Sequence, residues 1–288
     1  MMENPVEPIL PKPFVDPLVE ALDVRSVANG RDYEVRIGLP ISYRQGDARY
    51  PVLIVLDADI LFGTAYESAT VEALWSRAPV SGATAVVPEV IVVGISLPDR
   101  AANPLRRNYE YMPADTLDDL SDEQIANRER TEEFLGARLQ TGGAESFRMA
   151  LETDILPLIE RLYRVDTGRR AIFGESAGGT FVIYSLLTNP ELFTDYIAIS
   201  PFVSEGLFQL EAALAEAGKP LPVGLFLSVG EREMSEPTGL AGRFVRFVEQ
   251  LHSRRRESFR LISGIVPNAN HVQAGPACIG RALAMLFR

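Results

Sequence analysis

The sequence predicts an α/β fold in which a mostly parallel sheet is covered by helices on both faces. Apolar runs of strand length alternate along the chain with longer segments of helical periodicity, which is the pattern of βαβ units. Pro51–Leu56 and Val90–Ile95 are apolar throughout, as expected for strands buried on both faces. The dipeptide Asn29-Gly30 is a hairpin signal, so an antiparallel pair is expected at the N-terminal side of the sheet.

The strands and helices follow from these patterns. We expect strands at Leu22–Val27, Tyr33–Leu39, Pro51–Leu56, Val90–Ile95, Ala171–Phe173, Tyr196–Ile199, Val223–Val229 and Phe259–Val266. One helix face is predicted at Phe147, Leu151, Ile155, Leu158 and Leu162, with a kink at Pro157. A second helix is predicted at Thr180–Leu187. Pro276 is expected to open the final helix, with Ile279, Leu283 and Phe287 facing inward.

Length and composition point to one large globular domain. The prolines within residues 1–18 predict an extended arm. The length of 288 residues fits a single α/β domain at 19–288. A net charge of −11 argues against nucleic-acid binding, and no apolar run reaches the length of a membrane span. No secretory signal is recognised, so we expect a cytoplasmic protein. The lone Cys278 excludes an internal disulfide and is expected to be a buried small hydrophobe.

The segment 100–141 interrupts the alternation of strands and helices. It begins with Arg100, Arg106 and Arg107 and continues into a polar, acidic stretch. Long connections inside compact domains are often functional, so this segment is a candidate cap or lid over a substrate site. A solvated surface insertion is the alternative.

The most informative motif is Gly174-Glu175-Ser176-Ala177-Gly178, which has the form G-x-S-x-G. It follows the predicted strand Ala171–Phe173 and precedes the predicted helix Thr180–Leu187. A serine on such a sharp strand-to-helix turn holds its hydroxyl clear of the sheet. We therefore predict that Ser176 is a nucleophile. A glycine-rich turn without chemistry, or a weak phosphate-binding turn, is the alternative.

A serine nucleophile needs a base, and that base needs an orienting acid. His271 lies in the loop between the last predicted strand and the final helix, where the base is expected when the nucleophile lies on such a turn. His252 lies in a helical pattern and is expected at the surface. The loop after Val223–Val229 supplies two carboxylates, Glu231 and Glu233, and either could be the acid. The order along the chain, serine then glutamate then histidine, is the order expected when a G-x-S-x-G turn carries the nucleophile.

A tetrahedral intermediate also needs hydrogen-bond donors for its negative oxygen. One predicted donor is the backbone N–H of Ala177, at the start of the helix after Ser176. The other is expected from the turn after Pro51–Leu56, within Asp57-Ala58-Asp59.

Several segments together carry a family resemblance. They are Tyr50–Asp59, Gly142-Gly143-Ala144 with Phe147, Tyr163–Asp166, Phe173–Gly179, Ser200-Pro201, Ser228–Glu233 and Asn270-His271. With these segments the chain resembles esterases of the α/β-hydrolase superfamily that are related to ferric-enterobactin (enterochelin) esterases, feruloyl esterases, S-formylglutathione hydrolases and mycolyltransferases. The resemblance implies a three-layer α/β-hydrolase fold without a metal or a diffusible cofactor.

The resemblance also implies roles for individual residues. It places the acid at Glu233 and the second oxyanion N–H at Asp59, and it puts Phe202 and Val203 at the border of the substrate. Arg106 and Arg107 are candidate contacts to an anionic ester. The chain departs from the family at Ala58, where the family usually has glycine. Some siderophore esterases of this kind also work with a serine–histidine pair alone.

The sequence thus predicts a serine hydrolase that cleaves small-molecule carboxylic esters or lactones through an acyl-enzyme on Ser176. A thioesterase or acyltransferase using the same groups is one alternative, which transfer of the acyl group to an alcohol would reveal. A binding protein on a hydrolase scaffold is another. The sequence does not predict an oligomeric state.

Overall fold

The computed structural model describes residues 16–78, 86–98, 103–118, 120–218, 220–235, 239–254 and 258–286. Over these ranges the strands are β1 (Val19–Arg25), β2 (Asp32–Gly38), β3 (Tyr50–Leu56), β4 (Ile91–Ser96), β5 (Val165–Glu175), β6 (Asp195–Ile199), β7 (Gly224–Gly230) and β8 (Arg260–Val266). Residues 1–15 of the predicted arm lie outside the described residues.

The described strands form one mixed sheet in the order β1-β2-β4-β3-β5-β6-β7-β8. The hairpin β1–β2 is antiparallel and joins β4 in antiparallel register, with Glu34 opposite Ser96. From β4 to β8 every neighbouring pair is parallel. The carboxyl ends of β3 and of β5 to β8 therefore share one edge, where ligand sites of such sheets occur.

The helices are α1 (Ala58–Trp75), α2 (Asn103–Tyr111), α3 (Asp122–Leu135), α4 (Ala144–Ala150), α5 (Leu156–Leu162), α6 (Ala177–Thr188), α7 (Glu205–Glu216), α8 (Leu240–Ser253) and α9 (His271–Leu286). Helices α1 and α9 pack on one face of the sheet, where Phe62 and Ile279 belong to the same buried cluster as Leu53 and Val55 of β3. Most of the other helices pack on the opposite face, where Phe181 belongs to the same buried cluster as the alternate β3 side chains. The three-layer α/β architecture is thus confirmed.

The predicted strands are present with small shifts at their ends, and β5 is the largest departure. It begins at Val165 instead of Ala171, because Val165 pairs with Tyr50 of β3 ahead of the buried part of the strand. The intervening residues are polar and partly exposed, so hydropathy alone gave no strand signal there.

The helix predicted around Phe147–Leu162 is interrupted. A π-helical turn, Leu151–Ile155, separates α4 from α5, and Pro157 lies in the first turn of α5. Proline lacks the N–H that would continue the hydrogen-bond ladder, so the interruption falls just before it, as the sequence predicts.

The start of the final helix was predicted wrongly. Helix α9 begins at His271 and contains Pro276 in its interior. Asn270 caps the helix, since its carbonyl accepts the N–H groups of Gln273 and Ala274 and its side chain accepts that of Gln273. Ile279, Leu283 and Cys278 are buried as expected, whereas Phe287 lies outside the described residues. No helix within the described ranges is long and apolar enough to cross a membrane.

Candidate active site

Ser176 lies at the sharp turn between β5 and α6. Its backbone has φ 59° and ψ −121°, a conformation that costs energy for a residue with a side chain. The turn is tight because a Cβ at Gly174 would lie 2.3 Å from the carbonyl oxygen of Gly178. Only glycine permits this approach, so the G-x-S-x-G spacing forces the Ser176 side chain out beyond the end of the strand.

Three predicted residues form a continuous hydrogen-bonded chain across the carboxyl edge of the sheet. His271 Nε2 lies 2.9 Å from Ser176 Oγ, and His271 Nδ1 lies 2.7 Å from Glu233 Oε2. An ionised carboxylate only accepts, so Nδ1 carries the proton and Nε2 is left to accept one from the serine hydroxyl. The structure therefore gives the imidazole the tautomer that a general base requires.

The Glu233 carboxylate is fully buried and held by several donors. Its Oε1 accepts the Ser200 hydroxyl at 2.6 Å and the Gly230 N–H at 2.7 Å, while Oε2 faces His271. Burial alone would raise the pKa of Glu233, but the hydrogen bonds from His271, Ser200 and Gly230 outweigh it and leave the pKa lowered. The carboxylate is therefore kept ionised beside the imidazole.

Glu231, the other candidate acid, lies elsewhere. It is exposed, and its Oε2 accepts the backbone N–H of Asn268 at 2.6 Å, in the loop that leads to His271. The same two loops meet at Gly230, where a Cβ would lie 2.5 Å from the carbonyl oxygen of Ala269. Glu231 thus ties the two loops together, and the imidazole contact belongs to Glu233.

The two predicted oxyanion donors both lie in the first turn of a helix. Ala177 begins α6, and Asp59 is the second residue of α1, where backbone N–H groups point outward from the helix start. Asp57, which precedes α1, has the left-handed φ of 54°. The positive φ therefore falls on Asp57, a residue type that tolerates it, and Ala58 has the helical backbone that alanine favours.

A two-armed cleft opens around the serine. One arm is a cavity of about 640 Å³ bordered by the α1 start, α2 and α9, and the other of about 380 Å³ lies beside Phe202 and Leu240. Both arms reach Ser176 and His271, and both are bordered by Thr131 and Leu139. An ester carbonyl at Ser176 would have room for one substituent on each side.

The predicted substrate contacts divide into two groups. Phe202 borders the smaller arm, but Val203 is fully buried in the core behind it. Arg107 borders the larger arm, whereas Arg106 does not border either one: its Nε donates to the buried Glu110 at 2.7 Å and its Nη2 to the carbonyl of Asp32. Val203 and Arg106 thus lie away from both arms, because side chains that are adjacent in the sequence point in different directions.

Two further sequence expectations concern residues outside the hydrogen-bonded chain. His252 is exposed near the end of α8, as its helical pattern indicates. Arg100 lies outside the described residues.

Sequence reasoning gave no role to several residues of the site. Ser200 has a φ of 47° and holds Glu233, and the dipeptide Ser200-Pro201 after an apolar strand was its only sequence signal. Glu175 borders the larger arm and accepts the Gly275 N–H of α9 at 2.9 Å; burial raises its pKa. Thr131 and Leu139 lie in a polar stretch without a motif, so their position in the cleft was visible only in three dimensions.

Comparison with known proteins identifies the family of the chain. The family described as "Putative esterase" matches residues 26–214. The ferri-bacillibactin esterase BesA of Bacillus subtilis is 30% identical over 278 residues, which cover 94% of this chain and 90% of BesA. The siderophore triacetylfusarinine C esterase of Aspergillus fumigatus is 26% identical over 178 residues, 60% of this chain and about half (52%) of that protein.

Solved structures show the same fold. The BES protein from Bacillus cereus superposes with a TM-score of 0.77 at 23% identity, covering 96% of this chain and 98% of that one. The siderophore hydrolase EstB from Aspergillus nidulans gives a TM-score of 0.71 at 20% identity over 96% of this chain and 98% of that one. From the family match and the similarity to BesA, we conclude that the chain belongs to this esterase family and is a carboxylic-ester hydrolase.

Proposed function

We propose that the protein is a serine esterase that cleaves esters or lactones of small molecules through an acyl-enzyme on Ser176. The proposal rests on one observation, the hydrogen-bonded chain Ser176–His271–Glu233 at the mouth of the cleft. A serine hydroxyl becomes nucleophilic when a positioned base removes its proton during attack. The hydrogen-bonded series Ser176–His271–Glu233 has the order of groups that such activation requires.

The proposed reaction follows from the geometry. His271 Nε2 takes the Ser176 proton as Oγ attacks the ester carbonyl, and Glu233 stabilises the imidazolium that forms. The negative carbonyl oxygen is bound by the backbone N–H groups of Ala177 and Asp59. His271 then protonates the departing alcohol, which leaves an ester on Ser176. A water molecule, activated by the same imidazole, releases the acid.

For the substrate, we propose an ester or lactone of the siderophore kind, as the names of the relatives state for those proteins. The two arms of the cleft support a substrate with a sizeable group on each side of the scissile bond. The borders of both arms are rich in apolar side chains, including Ile60, Leu135, Leu139 and Val272 in the larger one. Apolar walls with a few polar groups are typical of small-molecule sites.

The test compares wild type with Ser176→Ala on short acyl esters, aryl esters, trilactone siderophores and thioesters. We expect wild type to hydrolyse oxygen esters and lactones and to react with a fluorophosphonate, and Ser176→Ala to fold normally with nearly all turnover lost. Since Ser176 is the proposed attacking group, labelling of another serine in the variant would contradict the proposal. Acyl transfer to added alcohol in preference to water would instead indicate an acyltransferase.

A further inference from the structure

The Arg107 side chain connects the two turns that border the nucleophile. Its Nε donates to Asp57 Oδ1 at 2.6 Å and its Nη2 to Asp57 Oδ2 at 2.8 Å, so the carboxylate is held at both oxygens. The same Nη2 lies 3.1 Å from the carbonyl oxygen of Glu175, the residue before Ser176. One planar guanidinium thus contacts both the turn before α1 and the turn before α6.

Both turns have backbone conformations that need support. Ser176 has φ 59° and ψ −121°, an unfavourable combination for a residue with a side chain, and Asp57 has the left-handed φ of 54°, which few residue types other than glycine adopt. The Asp57 carbonyl accepts the N–H groups of Ile60 and Leu61, which fixes the first turn of α1 to this residue. Holding the Asp57 carboxylate therefore holds the start of α1 and, with it, the direction of the Asp59 N–H.

The chemistry of Arg107 suits a fixed bridge better than a substrate contact. Its charge is already matched by the Asp57 carboxylate, which is almost fully buried. Although burial opposes the charged form, the adjacent carboxylate raises the pKa of Arg107, and the side chain stays a cation. Three of the five guanidinium N–H groups are engaged with the two turns, which fixes the plane of the guanidinium.

We propose that Arg107 is a positioning residue for the oxyanion site, holding the Asp57–Asp59 turn and the Ser176–Ala177 turn at a fixed separation. The inference rests on the proposed serine mechanism. A displaced donor binds the transition-state oxygen less well than a fixed one, while ground-state binding of the ester is hardly affected. The loss should therefore appear in kcat and leave KM close to its wild-type value.

The test uses Arg107→Lys and Arg107→Ala, with Arg106→Ala as the matched control on the same helix. Lysine keeps the charge but cannot span both turns with a planar fork. We expect kcat to fall on the order of a hundredfold in Arg107→Lys, with the rate of fluorophosphonate labelling of Ser176 falling in parallel. Millimolar ethylguanidinium should restore part of the activity of Arg107→Ala.

The control separates positioning from general stability. Arg106→Ala removes one partner of the buried Glu110, which Arg31 and Tyr33 also contact. This variant should lower the melting temperature with kcat nearly unchanged and no effect of ethylguanidinium. Wild-type kcat in both Arg107 variants would overturn the inference, as would a KM increase confined to anionic esters, which would make Arg107 a substrate contact. Failure of wild type to hydrolyse any ester or to be labelled would instead contradict the proposed function.

Discussion

The choice between two glutamates illustrates what decides a role at the scale of single residues. Glu231 and Glu233 lie in the same loop, and the chemistry of the two residues allows either to orient the histidine, while the family resemblance favours Glu233. Glu233 is fully buried and reaches His271 at 2.7 Å, while Glu231 is exposed and holds the Asn268 N–H. Burial and direction, which depend on how the loop folds back, distinguish two chemically identical side chains.

This difference predicts unequal effects of the two amide substitutions. Glu233→Gln should keep the fold and lower kcat by a factor on the order of tens to ten thousand, because the neutral amide no longer stabilises the imidazolium. Glu231→Gln should change kcat little, since its contact is to a backbone N–H away from the imidazole. Steady-state kinetics on one activated ester measures both variants under the same conditions.

The reverse ranking would transfer the role of the acid to Glu231. If neither substitution lowers kcat, the reaction depends on Ser176 and His271 alone. His252→Ala, at an exposed position on α8, is the control and should retain wild-type kinetics.

At the scale of elements, the part of the chain between β4 and α4 contributes most to the walls of the cleft. Helix α3 is a well-defined helix, with Ser121 and Gln124 forming a capping box at its start and Gly136 in the left-handed conformation at its end. Thr131 and Leu139 border both arms of the cleft. We propose that this segment acts as the substrate-side cap, the role predicted for residues 100–141.

The cap proposal predicts a selective effect of Leu139→Ala. Loss of this apolar wall should lower kcat/KM for esters with long apolar acyl chains on the order of tenfold, because the substrate loses buried contact area. Acetate esters, which are too short to reach the wall, should be hydrolysed almost as by wild type. A chain-length series with one leaving group gives the comparison directly.

Phe134→Ala is the matched control, because Phe134 lies on the same segment but is 88% exposed. It should leave the chain-length profile unchanged. An equal loss for all chain lengths in Leu139→Ala, accompanied by a lower melting temperature, would assign Leu139 a structural role in place of a substrate contact.

At the scale of the whole molecule, the buried Glu233 carboxylate makes the stability of the fold depend on pH. The lowered pKa of Glu233 means that the folded protein binds a proton there less readily than the unfolded chain does. The stabilisation is therefore present above the ordinary glutamate range and is lost as the pH falls through the lower pKa of the folded state. The loss of this contribution should therefore be part of the destabilisation of the protein in acid.

A comparison of wild type with Glu233→Gln tests this linkage, since the amide does not titrate. The difference in their free energies of unfolding should be largest near neutral pH and should shrink below about pH 4. Urea titrations at several pH values measure the difference. A difference between wild type and Glu233→Gln that stays constant with pH would contradict the linkage. Ser176→Ala is the control, and its free energy of unfolding should differ from that of wild type by the same amount at every pH.

The sequence by itself determined the order of strands and helices, the elbow around Ser176 and the position of His271 after the last strand. These follow from local patterns, because hydropathy, turn residues and a glycine-spaced serine act through neighbours along the chain. The tertiary structure decided that Glu233 faces the histidine, that Ser200 holds it and that Arg107 binds Asp57. Each of these depends on burial and on distances between segments far apart in sequence, which no local pattern encodes.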